Sequence, residues 1–122
     1  MKKSIIIENA AKPIGPYSHA VEANGVIYVS GQGPVDPSSG IIPDSFECQV
    51  KQTFANLHTI LEGCDVGFDN VAKVNVYLSD LALFEEFNEI YKTYFTGNYP
   101  ARTTIGAKLL GIMLEIDCIA IK

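Results

Sequence analysis

The chain has 122 residues, 48% of them hydrophobic, and its 9 basic and 14 acidic residues give a formal net charge of −5. That length fits one domain covering residues 1–122, and the apolar content excludes an intrinsically disordered chain. The acidic balance argues against a nucleic-acid-binding protein, because an acidic surface repels phosphate backbones, and the apolar runs are too short to cross a membrane.

The first third of the chain predicts antiparallel strands. A short strand around residues 4–7 precedes a β-hairpin with strands 18–23 and 26–30. The hairpin turn is Asn24-Gly25, a pair in which both residues tolerate positive φ. Closely spaced glycines and prolines over residues 31–43 then predict a long exposed loop.

Apolar residues at helical spacing predict two helices. The first begins at Asp44, with Glu47 as a favourable acid in its first turn, and ends at Gly63. Its apolar stripe consists of Val50, Phe54, Leu57 and Leu61. The second spans about residues 82–95 and carries an aromatic stripe of Phe84, Phe87, Tyr91 and Tyr94.

Three further strands complete the predicted fold. Residues 71–78 alternate, and the apolar face consists of Ala72, Val74, Val76 and Leu78. Two closing strands are predicted near residues 103–107 and 114–121. The order strands, helix, strand, helix, strands is typical of an α+β fold with two helices on one face of a mixed sheet.

The last strand indicates a contact with another subunit. One of its faces is apolar, whereas the other combines Glu115 and Asp117 with Ile119 and Ile121. This mixed face suits neither a core nor a solvated surface, and the two helices leave it uncovered. We therefore expect it to be buried against a second copy of the chain.

Cysteine and histidine usage argues against disulfides and metal binding. On one helix, Cys48 and Cys64 would lie roughly 24 Å apart, far beyond the about 7 Å that a disulfide allows between Cα atoms. With Cys118 the count is odd, which is ordinary in the reducing cytosol. The two histidines are far apart in sequence and no Cys-x-x-Cys occurs, so no metal site is expected. The short N-terminal apolar run is no signal peptide, and a cytoplasmic protein is expected.

Arg102 is the only arginine of the chain and follows a loop stiffened by Pro100. Its guanidinium offers a rigid fork that matches a carboxylate, which lysine cannot imitate. The pattern fits either an anion-binding site or a structural ion pair.

Glu115 stands in an otherwise apolar segment, so its carboxylate must be paired, solvated or shifted in pKa. A salt bridge at a subunit interface and a catalytic carboxylate both fit this position. Gly31 lets the backbone approach a ligand closely, although a plain turn explains it equally.

Four more polar residues have structural explanations when they are considered singly. Tyr17 follows Gly-Pro in a loop and suits packing, although its phenol could donate to an anion. His19 is read as structural or solvent-facing, and Asn88 as solvated. Thr104 lies two residues after Arg102, hence on the same strand face, where strand propensity explains it.

Four sequence blocks resemble the RidA/YjgF family, once called L-PSP endoribonuclease, over nearly the whole chain. They are Gly15-Pro16-Tyr17-Ser18, Val29-Ser30-Gly31-Gln32, Pro100-Ala101-Arg102-Thr103-Thr104 and Leu114-Glu115-Ile116-Asp117. The resemblance implies a chorismate-mutase-like domain that forms a homotrimer, with the sheets in a central barrel and three clefts between subunits. It also implies cofactor-independent hydrolysis of imines and enamines, such as 2-iminopropanoate and 2-iminobutanoate, to 2-oxo acids and ammonia.

The resemblance also implies roles for single residues. Arg102 would hold the substrate carboxylate, and Glu115 would position or activate the attacking water. The residues implied to line the cleft are Tyr17, Ser30, Gly31, Asn88 and Thr104. Tyr17 and Arg102 would reach one cleft from different subunits.

Two departures from the family pattern bear on these roles. Residues 109–113 are about two residues shorter than is usual and lack a Pro-Gly turn, which makes Asp117 the alternative to Glu115. Thr104 stands where some members have cysteine, so no covalent thiol mechanism is expected.

Two other functions remain compatible with such a chain. An endoribonuclease is disfavoured by the net charge of −5 and by the lack of a Lys/Arg cluster. A non-catalytic metabolite-binding or chaperone-like trimer is compatible with the same cleft, because an anion clamp serves binding as well as catalysis. The expected partners are small 2-imino or 2-oxo acids and further copies of the chain, with neither nucleic acid nor membrane.

Overall fold

Six strands and two α-helices follow the predicted order in a computed structural model that describes residues 1–122. The strands are β1 (Lys3–Ile5), β2 (Ala20–Ala23), β3 (Val26–Gln32), β4 (Val71–Leu78), β5 (Ala101–Gly106) and β6 (Leu114–Ile121). The helices are α1 (Phe46–Gly63) and α2 (Phe84–Tyr91). Neither helix is both long and apolar enough to cross a membrane.

The strands form one mixed sheet in the order β1-β2-β3-β6-β4-β5. Only β4 and β5 pair in parallel, and every other pair is antiparallel. The last strand therefore lies between β3 and β4, while α1 and α2 provide the crossovers from β3 to β4 and from β4 to β5. The predicted α+β fold with two helices on a mixed sheet is confirmed.

The helix ends differ from the prediction for local reasons. The N-cap of α1 is Ser45, not Asp44, because the Ser45 hydroxyl accepts a hydrogen bond from the backbone N–H of Cys48. Gly63 is the last residue of α1, but the left-handed residue beyond the helix is Asp65, with φ 62°. The second helix is shorter than predicted, because 3₁₀ turns at Leu81–Leu83 and Lys92–Tyr94 flank it.

Irregular pairing explains one difference in the faces of the strands. Ala72 is exposed and Val71 is buried, contrary to the predicted faces, because the register of β4 against β6 shifts between Val71 and Lys73. The hairpin turn is as predicted, with Asn24 at φ 52° and Gly25 at φ 76°. The bounds of β4 and β6 also match the prediction.

The helix-covered face of the sheet carries the core, a cluster of 23 buried residues. The opposite face is left open by this chain, as its sequence predicts. Tyr28, Ile105 and Ile121 on that face expose 48%, 48% and 46% of their surfaces. Large apolar side chains beside charged ones are typical of a surface that another molecule covers.

The connection from β3 to α1, predicted as a long exposed loop, is anchored to α1 by buried amide side chains. Asn56 donates to the carbonyls of Gly33 and Val35, both at 2.8 Å. Gln49 donates to the carbonyl of Pro43 and accepts from the N–H of Met113. The chain segments on either side of a surface pocket are therefore held in place.

Replacing Asn56 with alanine is expected to lower the free energy of unfolding by about 1–3 kcal/mol, because two carbonyls lose their donor. Denaturant unfolding followed by circular dichroism measures this, with the exposed Asn98 replaced by alanine as the control. Equal stability of the two variants would show that the amide does not anchor the loop.

Candidate functional site

Arg102 lies on the edge strand β5 and on the face that the helices cover. It is in register with Val74, whose side chain is in the core. Its Cζ lies 4.6 Å, 5.4 Å and 5.6 Å from the ring centroids of Tyr91, Phe87 and Phe84 on α2. This aromatic cage fixes the plane of the guanidinium and adds cation–π attraction.

The guanidinium of Arg102 has one polar partner, the side-chain oxygen of Asn88, to which Nη2 donates. No carboxylate oxygen lies within 4.0 Å of it, and the neighbouring Glu89 pairs with Lys92 instead. A structural ion pair within the chain therefore does not explain Arg102. It borders an open cleft of about 370 Å³, called here the Arg102 cleft, together with Asn88 and Tyr91. A guanidinium that is held in a cage and has free N–H donors is suited to binding a planar anion.

Two hydroxyls near Arg102 are buried without a hydrogen-bond partner, those of Tyr91 and Thr104. Burial raises the pKa of Tyr91 to about 12, so this phenol stays protonated at neutral pH. Thr104 lies on the same face of β5 as Arg102, two residues further on. The Tyr91 hydroxyl on α2 and the Thr104 hydroxyl on β5 are therefore donors that this chain itself does not use.

Glu115 lies on the opposite, open face of the sheet. It pairs with Tyr77 across β6 and β4, whereas its neighbours Leu114 and Ile116 point into the core. Glu115, Tyr17 and Gly31 border a second pocket of about 420 Å³, called here the Glu115 pocket. It lies between the segments 11–17 and 108–112.

A bulge in β3 brings the Gly31 backbone against Glu115. Between the pairs Val29–Cys118 and Gln32–Ile116, two residues of β3, Ser30 and Gly31, oppose one residue of β6. A Cβ built on Gly31 would lie 2.5 Å from Glu115 Oε2 and 2.9 Å from its Cδ. Only glycine leaves room for the carboxylate here.

The Glu115 carboxylate is half-buried and has no cation within 4.0 Å in this chain. Desolvation, and secondly the charge of Asp117, raise its pKa above the ordinary value. A carboxylate with a raised pKa is a better proton acceptor than an ordinary one.

Asp117 has a different environment from Glu115. Its Oδ1 accepts from Asn75 at 2.8 Å, and its Oδ2 accepts from the Tyr77 hydroxyl at 2.9 Å. The bond to Asp117 raises the pKa of Tyr77. Both carboxylate oxygens are engaged, so the geometry favours Glu115 over Asp117 as the free carboxylate on this face.

Tyr17 and Ser30 of the predicted site, and His19, which was read as structural or solvent-facing, each hydrogen-bond to the backbone of this chain. The Tyr17 ring is 46% exposed, and its hydroxyl accepts from the N–H of Ile14 at 3.3 Å. The Ser30 hydroxyl donates to the carbonyl of Ser18 and does not line the Glu115 pocket. His19 is buried, with Nδ1 accepting from the N–H of Ile7 and Nε2 directed at the carbonyl of Ala11.

The predicted site residues therefore form two groups on opposite faces of one sheet. Arg102, Asn88 and Thr104 lie on the helix side at the β5 edge, whereas Glu115 and Gly31 lie on the open side. A ligand that contacts both Arg102 and Glu115 must be held between two copies of the chain.

Sequence reasoning placed the aromatic residues of α2 on one stripe and missed their contact with Arg102. Phe84 shows the difference best, because it is 40% exposed and lies under the guanidinium. The combination of an aromatic stripe with Asn88 on one helix is the signal that could have located the cage.

Gly31→Ala is expected to displace the Glu115 carboxylate while leaving the fold intact, because Gly31 has no positive φ and only a flexible side chain blocks the new methyl group. We expect kcat/KM to fall by about 10²-fold, as a catalytic group moved by an ångström can cost this much. The measurement is the rate of the imine hydrolysis that the family resemblance implies.

The control for Gly31→Ala is Gly67→Ala, where nothing lies within 4 Å of the added carbon. It should retain wild-type activity and stability. Full activity of Gly31→Ala would contradict a role for the carboxylate position.

No group of three metal-ligating side chains occurs in the structure. The three cysteines are free, with Cys48 exposed and Cys64 and Cys118 buried. Burial raises the pKa of Cys118 to about 12, which makes it a poor nucleophile at neutral pH.

Comparison with known proteins gives concordant results. Residues 7–122 match the family model described as endoribonuclease L-PSP. The mouse 2-iminobutanoate/2-iminopropanoate deaminase is 42% identical over 125 residues, which cover 100% of this chain and 93% of the mouse protein.

Solved structures agree with the sequence matches. The crystal structure of the Escherichia coli YjgF gene product superposes with a TM-score of 0.92 at 33% identity, covering 98% of each chain. That of E. coli TdcF with bound serine gives a TM-score of 0.90 at 32% identity, covering 98% of this chain and 99% of TdcF.

Proposed function

We propose that this chain, which belongs to the RidA/YjgF family, is a 2-imino acid deaminase. It would hydrolyse imines such as 2-iminobutanoate and 2-iminopropanoate to 2-oxo acids and ammonia. The observation that carries the proposal is the caged guanidinium of Arg102, half-buried without a carboxylate partner. Such a group has its donors free for the carboxylate of a 2-imino acid.

In the proposed reaction, Arg102 holds the substrate carboxylate and leaves the C=N carbon open to attack. The nitrogen of the iminium is already protonated, and a water oxygen bonds to C2 while a proton leaves this water. The proton taken from the water then passes to the nitrogen of the tetrahedral adduct. The adduct expels ammonia as its hydroxyl loses a proton and becomes the carbonyl of the 2-oxo acid. These proton transfers require no oxidant, reductant or metal, so the proposed reaction is cofactor-independent.

Glu115 accepts the proton of the attacking water in this scheme. Its raised pKa and free oxygens support that role, which typically contributes about 10²–10⁴-fold to a rate. The hydroxyl of Thr104 and the side chain of Asn88 complete the Arg102 side. Tyr17 and Gly31 border the Glu115 side, and Ser30 holds the bulge that presents Gly31.

Because the two groups lie on opposite faces of the sheet, we further propose that clefts form between subunits of a homotrimer. Each cleft would combine Arg102 of one subunit with Glu115 and Tyr17 of the next. The exposed apolar residues of the open face support association, since a monomer would leave them in water. A central barrel of three sheets would cover them.

The experiment that tests the function measures ammonia release from 2-iminobutanoate, freshly generated by a dehydratase acting on threonine. We expect release to exceed spontaneous hydrolysis in proportion to protein concentration and to require Arg102. If the protein binds 2-oxo acids through Arg102 but does not accelerate release, it is a metabolite-binding protein. RNA cleavage by highly purified protein that survives loss of Arg102 would favour a nuclease instead.

A further inference from the structure

The polar groups that line the Arg102 cleft are mainly hydrogen-bond donors. The guanidinium has five N–H groups and no acceptor, and the structure shows one bond from it, to the side-chain oxygen of Asn88. The only carboxylate that borders the cleft, that of Glu89, is engaged by Lys92 at 2.7 Å. The cleft therefore presents unused N–H donors and no free carboxylate.

The tyrosine beside Arg102 adds no negative charge to the cleft. The ring centroid of Tyr91 lies 4.6 Å from the Cζ of Arg102. Burial raises the pKa of Tyr91 to about 12, so its phenol stays neutral around neutral pH. The positive charge of Arg102 is therefore uncompensated within this chain.

A protonated nitrogen and an oxygen at C2 of a bound molecule need opposite partners. The iminium nitrogen carries a positive charge and only N–H bonds, so it needs acceptors and is repelled by a guanidinium. The carbonyl oxygen of a 2-oxo acid accepts from donors, and it accepts more strongly as it gains charge during the addition of water to C2. The donor-rich Arg102 cleft therefore suits an oxygen at C2.

The Glu115 side of the site acts on water, whatever atom the water displaces. The half-buried Glu115 carboxylate has no cation within 4.0 Å in this chain and is free to take a proton from water. The water needs a planar C2 next to a carboxylate that Arg102 holds. A 2-oxo acid presents the same carboxylate and the same planar C2 as the 2-imino acid from which it forms.

We propose that this site also catalyses the reversible hydration of 2-oxo acids, and that it thereby exchanges their C2 oxygen with the oxygen of water. The inference rests on the proposed deaminase function, because it uses the same carboxylate clamp and the same attacking water. It adds a second reaction, in which an oxygen takes the place of the nitrogen.

The hydration is balanced without a further reactant. While Arg102 holds the carboxylate, a water oxygen bonds to C2 and the electron pair of the C=O bond moves to the carbonyl oxygen. Glu115 takes a proton from this water and returns it to the former carbonyl oxygen, which gives a geminal diol. In the reverse direction Glu115 moves a proton between the two hydroxyls, and the one that receives it leaves as water. When the original oxygen leaves, the 2-oxo acid keeps an oxygen from the solvent.

The test incubates 2-oxobutanoate in ¹⁸O-enriched water without ammonium. Borohydride then reduces the remaining 2-oxobutanoate to 2-hydroxybutanoate, which fixes the label for mass spectrometry. We expect oxygen exchange to exceed the spontaneous rate in proportion to protein concentration. Butanone, which lacks the carboxylate, should exchange at its spontaneous rate only.

Glu115→Gln should lower the protein-dependent exchange by about 10²-fold or more, because the amide cannot take the proton of water. Arg102→Lys should lower it by about 10²-fold, because the carboxylate is no longer oriented. The matched control is Glu62→Gln on α1, where the side chain is 77% exposed, and it should leave the rate unchanged. Exchange that survives Glu115→Gln, or equal acceleration of butanone, would overturn the proposal.

Two other routes of exchange are distinguished in the same experiment. Reversal of deamination exchanges the oxygen through an imine and requires ammonium. A lysine such as Lys12 or Lys108, which border the Glu115 pocket, exchanges it through a Schiff base that borohydride fixes on the protein. Exchange that needs added ammonium, or that is accompanied by attachment of the 2-oxo acid to the protein, would overturn the proposal.

The outcomes separate this inference from the proposed function. Ammonia release from 2-iminobutanoate without oxygen exchange would leave the deaminase function standing and refute the hydration. Oxygen exchange without ammonia release would refute the deaminase function and support the hydration. Absence of both reactions would refute both proposals.

Discussion

Arg102→Lys is expected to lower kcat/KM for 2-iminobutanoate by about 10²-fold or more, with the fold unchanged. Lysine keeps the positive charge but loses the planar fork, the bond to Asn88 and the stacking over the rings of Phe87 and Tyr91. The substrate carboxylate would then be attracted but not oriented, and orientation sets the approach of water to C2. Steady-state ammonia release measures the loss.

A second variant, Asn88→Asp, tests the same clamp, because it keeps an oxygen acceptor for Arg102 but adds a negative charge beside it. This charge should occupy the guanidinium and raise KM more than it lowers kcat. Wild-type kcat/KM in Arg102→Lys would contradict the carboxylate clamp.

Glu115→Gln is expected to lower kcat by about 10²–10⁴-fold with little change in KM, because an amide can hold water but cannot accept its proton. The effect has a pH signature. Desolvation and Asp117 raise the pKa of Glu115, so the fraction of ionised Glu115 falls as pH decreases through a value above that of an ordinary carboxyl. The wild type should therefore lose kcat/KM on the acidic side, and the glutamine variant should lack this acidic limb.

Asp117→Asn distinguishes the role of the Asp117 carboxylate from that of the Glu115 carboxylate. Because Asp117 accepts from Asn75 and Tyr77, its loss should disturb local hydrogen bonding and lower stability, with a smaller effect on kcat than Glu115→Gln. A silent Glu115→Gln combined with an inactive Asp117→Asn would show that the catalytic carboxylate lies two residues later.

The order of the elements could be predicted because it depends on local patterns. The alternating patterns of residues 71–78 and 114–121 predicted the bounds of β4 and β6, and Asn24-Gly25 located the hairpin turn. Each of these signals is contained within a few neighbouring residues.

The features that depend on distant pairing could not be predicted in this way. The bulge at Ser30 and Gly31 exists because β6 enters the sheet beside β3, which no local pattern in β3 indicates. Arg102 and Glu115 lie on opposite faces of the sheet because of the strand pairing, in which β5 and β6 flank β4 on its two sides. The sequence identified both residues as candidates, but their separation within one chain follows only from the sheet order.

The central claim is that two incomplete sites, on opposite faces of one chain, complete each other between subunits. Complementation tests this claim most directly. Arg102→Lys and Glu115→Gln chains are mixed in equal amounts, unfolded and refolded together. Ammonia release by the mixture is then compared with that of each variant refolded alone. Random assembly leaves about a quarter of the clefts with both wild-type residues, so the account predicts recovery toward about a quarter of wild-type activity. No recovery in verified mixed oligomers, or full activity in a wild-type monomer, would contradict the shared cleft.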